Sequence, residues 1–179
     1  MPDPRASRFI PGDGAMILRP ATPADAGAVA DIDLAARVAA LPTVRWAHPP
    51  AEVRAWIAGV LLPRGGVWVA EDGGAPLGYM ALHEDWVEQL YVRPGAWRRG
   101  VGAALLRHAM ARRPEGLRLW CFQVNAPARA FYVAHGFAAL CHTDGAANEE
   151  REPDILYAWP VTAWQATPAP PGLAPAAAP

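Results

Sequence analysis

The sequence contains no lysine: all sixteen basic residues are arginine, which we interpret as a bias of composition rather than a sign of function. Its two cysteines, Cys121 and Cys141, lack the spacing of a metal site or redox motif and are too few for a disulfide framework. The formal net charge of -1 argues against a general electrostatic attraction to nucleic acid or anionic lipid. A charged partner must therefore be bound locally.

Long apolar segments are also missing. The longest strongly apolar run, Trp56 to Leu62, is far shorter than the roughly 20 residues of a membrane-spanning helix. The N-terminus carries Asp3 and Asp13 and has no apolar stretch typical of a signal peptide. We expect a soluble, cytoplasmic protein that binds neither membrane nor nucleic acid, and the sequence leaves both a monomer and a homodimer open.

The 179 residues suffice for one domain with a hydrophobic core. Residues 1–14 are rich in proline and glycine and show no periodicity, so we expect a flexible leader. Residues 161–179 consist largely of proline and alanine, and we expect a flexible tail. The folded domain should therefore span residues 15–160.

Hydrophobic periodicity within residues 15–160 predicts the order βααβββαβαββ, a mixed sheet flanked by helices in the α/β (α+β mixed-sheet) class. The second helix carries an apolar face from Val53 to Leu61, and we expect Pro63 to end it. The other helices are predicted at residues 23–40, 98–112 and 125–134. Strands are predicted at residues 15–19, 67–71, 77–83, 86–92, 117–122, 137–142 and 155–159.

A glycine-containing turn joins a predicted strand to a helix in the segment Trp97-Arg98-Arg99-Gly100-Val101-Gly102-Ala103. Glycines let the backbone approach a ligand, and the free N–H groups of a helix start favour an anion. The pattern lacks the lysine of a P-loop and the third glycine of a dinucleotide fingerprint. It indicates either a site for another phosphorylated ligand or a helix start with a solvated basic face. Six arginines accompany it without one acid between residues 93 and 113: Arg93, Arg98, Arg99, Arg107, Arg112 and Arg113.

This segment and a second one, Asn125 to Phe137 (NAPARAFYVAHGF), resemble the two motifs of the GNAT superfamily of N-acetyltransferases. The resemblance covers residues 15–159, with Trp97 where the family usually has glutamine or arginine. It implies a single acyltransferase domain with a central splayed mixed sheet and acetyl-CoA as the acyl donor. The cofactor-binding residues that it implies are Leu90, Tyr91, Val92, Arg98, Arg99, Gly100, Val101, Gly102, Ala103, Asn125 and Tyr132.

The same resemblance implies a catalytic role for Tyr132, which would protonate the departing thiolate, although it is also a suitable core aromatic; Asn125 serves equally well as a helix N-cap. Glu88 is the candidate base from its position on the strand, with a water relay left open in its place. Strand alternation puts Glu88 on the same face as Leu90, and the alternative is a carboxylate paired with an arginine. The histidines show no metal-ligand spacing, so we expect no metal.

The resemblance also implies that the acceptor side lies at the connection that contains Trp46 and in the acidic segment 141–159, with Glu149, Glu150 and Asp154. Such a segment suits a cationic amine, on a small molecule or a peptide, but is also typical of a solvated loop. The sequence thus predicts an acetyl-CoA-dependent N-acetyltransferase in which a primary amine attacks the thioester directly in a ternary complex. The alternative is a non-catalytic acyl-CoA-binding sensor or interaction module.

Overall fold

A computed structural model describes residues 7–8 and 16–164. Their strands form one mixed sheet of eight, in the order β1-β2-β3-β4-β5-β6-β8-β7. Neighbouring strands are antiparallel except for β5 and β6, which are parallel. The predicted fold class is confirmed. The strands are β1 Ser7–Arg8, β2 Ile17–Pro20, β3 Val67–Asp72, β4 Ala75–His83, β5 Trp86–Val92, β6 Leu117–Phe122, β7 Ala138–His142 and β8 Asp154–Trp159.

Helices cover both faces of this sheet. They are α1 Ala26–Ala40, α2 Pro50–Trp56, α3 Leu62–Arg64, α4 Val101–Arg112 and α5 Ala126–Ala134. We call the side covered by α1 and α2 the α1 face; its core includes Val29, Ile32, Ile57, Val69 and Tyr79. The opposite side is the α4 face, whose core includes Met80, Leu105, Leu117, Leu119 and Tyr132.

The second helical segment does not end at Pro63. A π-helical turn, Ile57–Leu61, joins α2 to α3, and the N–H of Leu62 donates to the carbonyl of Ile57. The helical segment therefore runs through Pro63, the second residue of α3, after the π-helical turn. The helix ends at Gly65, because its φ of 80° is incompatible with a right-handed helix.

The chain ends differ in part from the expected leader and tail. Residues 1–6, 9–15 and 165–179 lie outside the described residues, but Ser7–Arg8 pairs with β2. At the other end, a short 3-10 helix, Val161–Ala163, brings Trp164 onto Arg118, with the guanidinium 4.3 Å from the ring centroid. Residues 161–164 therefore belong to the folded body, since Trp164 packs on Arg118. The proline- and alanine-rich composition had predicted only a tail there.

The strands β5 and β6 share a single bridge, Trp86 with Arg118, and separate beyond it. Arg118 holds this junction: its Nε donates to Asp85 at 2.8 Å, and its guanidinium also stacks on Trp86 at 4.4 Å. Past the bridge, neither strand pairs with the other. The loss of pairing after one bridge agrees with the splayed sheet.

Gly78 lets the start of α4 approach this gap. A Cβ at Gly78 would lie 2.9 Å from the carbonyl oxygen of Tyr91 and 3.0 Å from Cγ1 of Val101, so a side chain there would push α4 off the sheet. The absence of that side chain seats the N-terminus of α4 beside β5. In the described part of the chain, no helix combines the length and apolar character needed to cross a membrane.

Candidate active site

The turn before α4 presents free backbone N–H groups. Gly100 adopts a left-handed conformation with φ of 82°, which glycine takes without steric cost. The first N–H of α4 to donate within the helix is that of Ala104, to Gly100 at 2.9 Å. The N–H groups of Val101, Gly102 and Ala103 precede this bond and have no helical acceptor. Together with the helix dipole they form a site suited to an anion.

The basic surface around this turn is smaller than the six arginines suggest. Arg112 donates to His108 and stacks on Trp68 with its guanidinium 4.0 Å from the ring centroid. Arg113 donates to the carbonyl of Glu84. Arg112 and Arg113 stand at the C-terminal end of α4, far from the turn at its N-terminus. Their side chains bind other parts of the protein and add no charge at the turn. Arg98 and Arg99 remain in the turn, and both are exposed. Arg99 pairs with Asp72 at 3.2 Å.

Backbone groups of β5 line one side of the gap. The N–H of Arg93 donates to the carbonyl of Leu77 on β4 at 2.8 Å. Because backbone groups alternate along a strand, those of Leu90 and Val92 point away from β4, toward β6. The carbonyl of Val92 already accepts the indole N–H of Trp97 at 2.7 Å. Trp97 therefore contacts the gap instead of supplying a phosphate ligand.

Tyr91 is turned away from the gap. The sequence had led us to expect that Leu90, Tyr91 and Val92 would all face it. Its backbone pairs with Tyr79 on β4, and its ring lies on the α1 face, 5.9 Å from that of Tyr79. The guanidinium of Arg37 is 5.5 Å from the Tyr91 ring. Burial raises the pKa of Tyr91 to about 12, although Arg37 opposes the shift. Tyr91 thus forms part of the wall on the α1 face.

Tyr132 lies on α5 at the other side of the gap and is only 8% exposed. Its ring packs against Phe131, Phe137 and Tyr157, with centroid distances of 5.3, 5.9 and 6.1 Å. Burial raises the pKa of its hydroxyl, and the nearby Cys121 raises it further. The phenol therefore stays protonated, as a proton donor must. Tyr132 is a core aromatic as well.

Two neighbours of Tyr132 have defined roles. The side-chain oxygen of Asn125 accepts the N–H of Ala128 at 3.2 Å, so Asn125 caps α5, as expected, and fixes its start. Cys121 is buried on β6, and burial raises the pKa of its thiol to about 12. A thiol in that environment is a poor nucleophile because the thiolate is the reactive form.

Glu88 does not share a face with Leu90, so the prediction from strand alternation is wrong. A β-bulge pairs Val87 with Leu82 and Gln89 with Ala81, which leaves Glu88 as an extra residue without a partner on β4. The carboxylate of Glu88 pairs with Arg64 of α3, whereas Leu90 packs into the core of the α4 face. The arginine-paired carboxylate, the alternative interpretation, is what the structure contains.

Trp46 covers the α1 face beyond the end of the gap. Its ring lies 6.2 Å from that of Phe122 on β6, and the guanidinium of Arg37 is 4.6 Å from the Trp46 centroid. Arg37 in turn pairs with the fully buried Asp33 at 2.5 Å. Sequence reasoning missed this buried pair, although Asp33 and Arg37 stand four residues apart on the apolar side of α1, which is a detectable signal.

His48 connects the segment that carries Trp46 to the acidic loop 143–153. Its Nδ1 lies 3.0 Å from Glu52 and its Nε2 lies 2.7 Å from Glu149. Hydrogen bonds to both carboxylates raise the pKa of His48. A ring with a carboxylate at each nitrogen needs two N–H donors, so this arrangement favours the imidazolium. Glu149 therefore holds the loop in place.

The remaining acidic candidates separate into two kinds. Asp154 is 4% exposed and accepts hydrogen bonds from the hydroxyl of Thr143 and from the amide of Asn148, the latter at 3.0 Å. It organises the base of the loop and does not face an acceptor, contrary to expectation. Burial is the main cause of the raised pKa of Tyr91, and the negative charge of Glu150 adds to it, so Glu150 lies in the neighbourhood of Tyr91.

Comparison with known proteins identifies this arrangement. A model described as "Acetyltransferase (GNAT) family" matches residues 33–137. The chain belongs to the GNAT family. It is 33% identical over 129 residues to the peptidyl-lysine N-acetyltransferase YiaC of Escherichia coli, covering 68% of this chain and 86% of YiaC. As a GNAT protein it is an acyltransferase of the N-acetyltransferase type.

Solved structures support the fold of this GNAT protein. The apo form of YjaB from Escherichia coli has a TM-score of 0.69 at 21% identity and covers 80% of this chain and 97% of YjaB. The putative acetyltransferase yncA from Salmonella typhimurium, solved with its cofactor acetyl-CoA, has a TM-score of 0.59 at 20% identity and covers 80% and 92% of the two chains. Within residues 7–8 and 16–164, no three His, Cys, Asp or Glu side chains cluster as metal ligands.

Proposed function

We propose that this protein transfers the acetyl group of acetyl-CoA to a primary amine by direct attack of the amine on the thioester in a ternary complex. One observation carries the proposal: the gap between β5 and β6 opens beside the free N–H groups at the start of α4. A pyrophosphate at the helix start would be recognised by backbone N–H groups that have no acceptor among residues 7–8 and 16–164, and a thioester arm would lie in the gap beside them.

The donor side fits acetyl-CoA. The N–H groups of Val101, Gly102 and Ala103 would bind the pyrophosphate, with Arg98 and Arg99 adding charge. Leu90 and the N–H of Val92 would pair with the pantetheine arm, and Asn125 would contact the arm from the α5 side. The solved relative yncA was obtained with acetyl-CoA, which supports the same donor for this chain.

The chemistry requires a neutral amine and a stabilised leaving group. A lysine-like amine with a pKa near 10.4 is neutral in fewer than one in a thousand molecules at pH 7, so a proton acceptor accelerates the reaction. Glu88 is the proposed base, provided that its oxygen not held by Arg64 faces the acceptor. Tyr132, kept protonated by burial, would donate to the departing thiolate. The buried thiol of Cys121 supports direct transfer, because it is a poor site for an acetyl-enzyme intermediate.

The acceptor is proposed to be a lysine side chain of a peptide or protein. YiaC, the relative described above, is named for peptidyl-lysine acetylation. The α1 face offers aromatic walls at Trp46 and Phe122 for a hydrocarbon stem. Glu150 supplies a carboxylate at the same entrance for an ammonium group, whereas Glu149 is engaged with His48. Such a site suits one positive charge at the end of an apolar chain.

The proposal is tested by incubating the protein and acetyl-CoA with a panel of amines and measuring free thiol and acetylated product together. The panel contains a lysine peptide, the same peptide with arginine in place of lysine, an aminoglycoside and a polyamine. We expect thiol release and product with the lysine peptide and neither with the arginine peptide. Binding of acetyl-CoA without transfer to any amine would instead favour an acyl-CoA sensor.

A further inference from the structure

Arg37 on α1 is a buried charged residue, with 7% of its surface exposed. It forms an ion pair with Asp33, which lies one turn earlier on the same helix and is fully buried. The hydroxyl of Tyr79 on β4 donates to the same carboxylate. The position of the guanidinium is therefore fixed both from its own helix and from the sheet.

Stability alone is a weak reason for this buried ion pair. Removing two charges from water is costly, and an apolar pair of similar volume is often as stable or more stable. The α1 face already has an apolar core, which includes Ile32 and Ile57, so the fold does not lack apolar packing there. The contacts of the Arg37 guanidinium indicate what else the pair does.

The guanidinium of Arg37 contacts two aromatic rings. Its central carbon lies 4.6 Å from the ring centroid of Trp46 and 5.5 Å from that of Tyr91. A guanidinium at these distances is attracted to the face of an aromatic ring, and the attraction is stronger where water is excluded. Arg37 therefore links Tyr91 on β5 to Trp46 in the connection between α1 and α2.

The position of Trp46 depends on such side-chain contacts. Trp46 lies between α1 and α2, outside any helix or strand, and among the described residues no backbone hydrogen bond holds residues 45–47. Its ring centroid lies 6.2 Å from that of Phe122, and Arg37 is its other ring contact. The orientation of the indole is therefore set by the side chains of Arg37 and Phe122.

We propose that Arg37 is a positioning residue that holds Trp46 in place as a wall of the acceptor entrance. This inference rests on the proposed function, in which the rings of Trp46 and Phe122 receive the hydrocarbon stem of a lysine side chain. Arg37 does not itself touch the acceptor in this account. It acts through the indole that stacks on it.

Asp33 makes an arginine compatible with a site for a cationic amine. An isolated guanidinium beside the entrance would repel an incoming ammonium group, because like charges interact strongly where water is scarce. The carboxylate of Asp33, paired with Arg37, balances that charge locally. The guanidinium can therefore support the wall without excluding the acceptor.

The test is a double-mutant cycle with Arg37→Lys, Trp46→Leu and the double variant, in which KM and kcat are measured for the lysine peptide. Lysine keeps the positive charge beside Asp33 but lacks the planar group that stacks on an indole. We expect Arg37→Lys to raise KM about 3- to 10-fold, in the range of one cation–π contact, with kcat nearly unchanged. The double variant should have the KM of Trp46→Leu alone, because Arg37 acts through Trp46.

The matched control is Arg54→Lys, the same change at an exposed arginine of α2 that pairs with Asp31 of α1, and its KM should equal that of the wild type. Thermal melting checks that each variant is folded, and the Kd of acetyl-CoA, which should not change, checks the donor side. If Arg37→Lys does not fold, Arg37→Gln enters the same cycle.

Two results would overturn the positioning role and leave the acetyltransferase proposal intact. One is a lower Tm of Arg37→Lys with an unchanged KM, which would make Arg37 purely structural. The other is a double variant in which the two KM effects multiply, since Arg37 would then act independently of Trp46. If the wild type acetylates no amine, the proposed function fails and this inference fails with it.

Discussion

The indole N–H of Trp97 donates to the carbonyl oxygen of Val92 at 2.7 Å, so a side chain from the turn before α4 occupies a backbone group at the gap between β5 and β6. Trp97 is also 42% exposed, which is unusual for a large apolar side chain and consistent with a position at the mouth of the gap. While the indole holds it, the carbonyl of Val92 has one lone pair left for a pantetheine amide.

Replacing Trp97 with glutamine should therefore tighten acetyl-CoA binding. Trp97→Gln frees the Val92 carbonyl and adds a side-chain donor near the pyrophosphate, each worth about one hydrogen bond of roughly 1 kcal/mol. We expect the Kd from titration calorimetry to fall about 5-fold if one of the two hydrogen bonds is gained and about 30-fold if both are. Trp97→Phe separates the two effects, since it frees the carbonyl without adding a donor. A weaker Kd in both variants would show that the indole itself supports the cofactor.

Gly100 is the residue of the turn whose backbone conformation demands glycine. Gly100→Val places a β-branched residue at a φ of 82°, which costs about 1–3 kcal/mol and shifts the N–H groups that follow. We expect the rise in Tm on adding acetyl-CoA to disappear while the apo protein still unfolds cooperatively. Gly95→Val is the matched control, because a Cβ at Gly95 meets open space and no positive φ is involved.

A second variant, Gly102→Val, tests the same turn by contact rather than by backbone strain. Its Cβ would lie 3.6 Å from Phe131 and from Val92, so the larger side chain crowds the wall of the gap. If both glycine variants keep the full acetyl-CoA shift, the turn is not the phosphate site.

Local patterns predicted most of the fold, whereas contacts distant in sequence were invisible. The strand Leu117–Phe122 and the helix after Asn125 match the sequence prediction because alternation, a capping side chain and Gly136 act within a few residues. The face of Glu88 was predicted wrongly because a bulge depends on the pairing of β5 with β4. No pattern in β5 marks that extra residue.

The candidate site shows the same division. The glycine turn and Tyr132 were found because the motifs are contiguous. The partners Arg64 of Glu88 and His48 of Glu149 were missed because tertiary packing joins segments 24 and 101 residues apart. Asp154 looked like one more acid in a charged loop, but the register of β8 buries it.

Removing the Tyr132 hydroxyl should slow chemistry without weakening cofactor binding. Its raised pKa makes the phenol a weaker acid, yet burial beside it would also destabilise the departing thiolate. We expect Tyr132→Phe to lower kcat about 10- to 300-fold, which is below or at the lower end of the range for general acid catalysis. Tyr157→Phe is the control, since Tyr157 packs against Tyr132 from β8. Single-turnover rates equal to wild type would leave Tyr132 only a structural role.

The bridge from His48 to Glu149 should make stability depend on pH. The pKa of His48 is raised in the folded protein. Its contribution to the free energy of unfolding is therefore fully present below the pKa of the unfolded state, near 6.5, and is lost as the pH rises through the pKa of the folded state. We expect His48→Asn to lower Tm by about 1–3 °C at pH 6 and by less at pH 9. Glu149→Gln should reproduce this pattern. A Tm difference that is constant with pH would contradict the ionic bridge.

Direct transfer in a ternary complex is tested most directly by initial rates with acetyl-CoA and a lysine peptide varied together. Double-reciprocal plots should give intersecting lines, and intact-mass measurement of the protein after incubation with acetyl-CoA alone should show no acetyl group on Cys121 or Cys141. Parallel lines together with an acetylated cysteine would indicate a covalent intermediate and contradict the account.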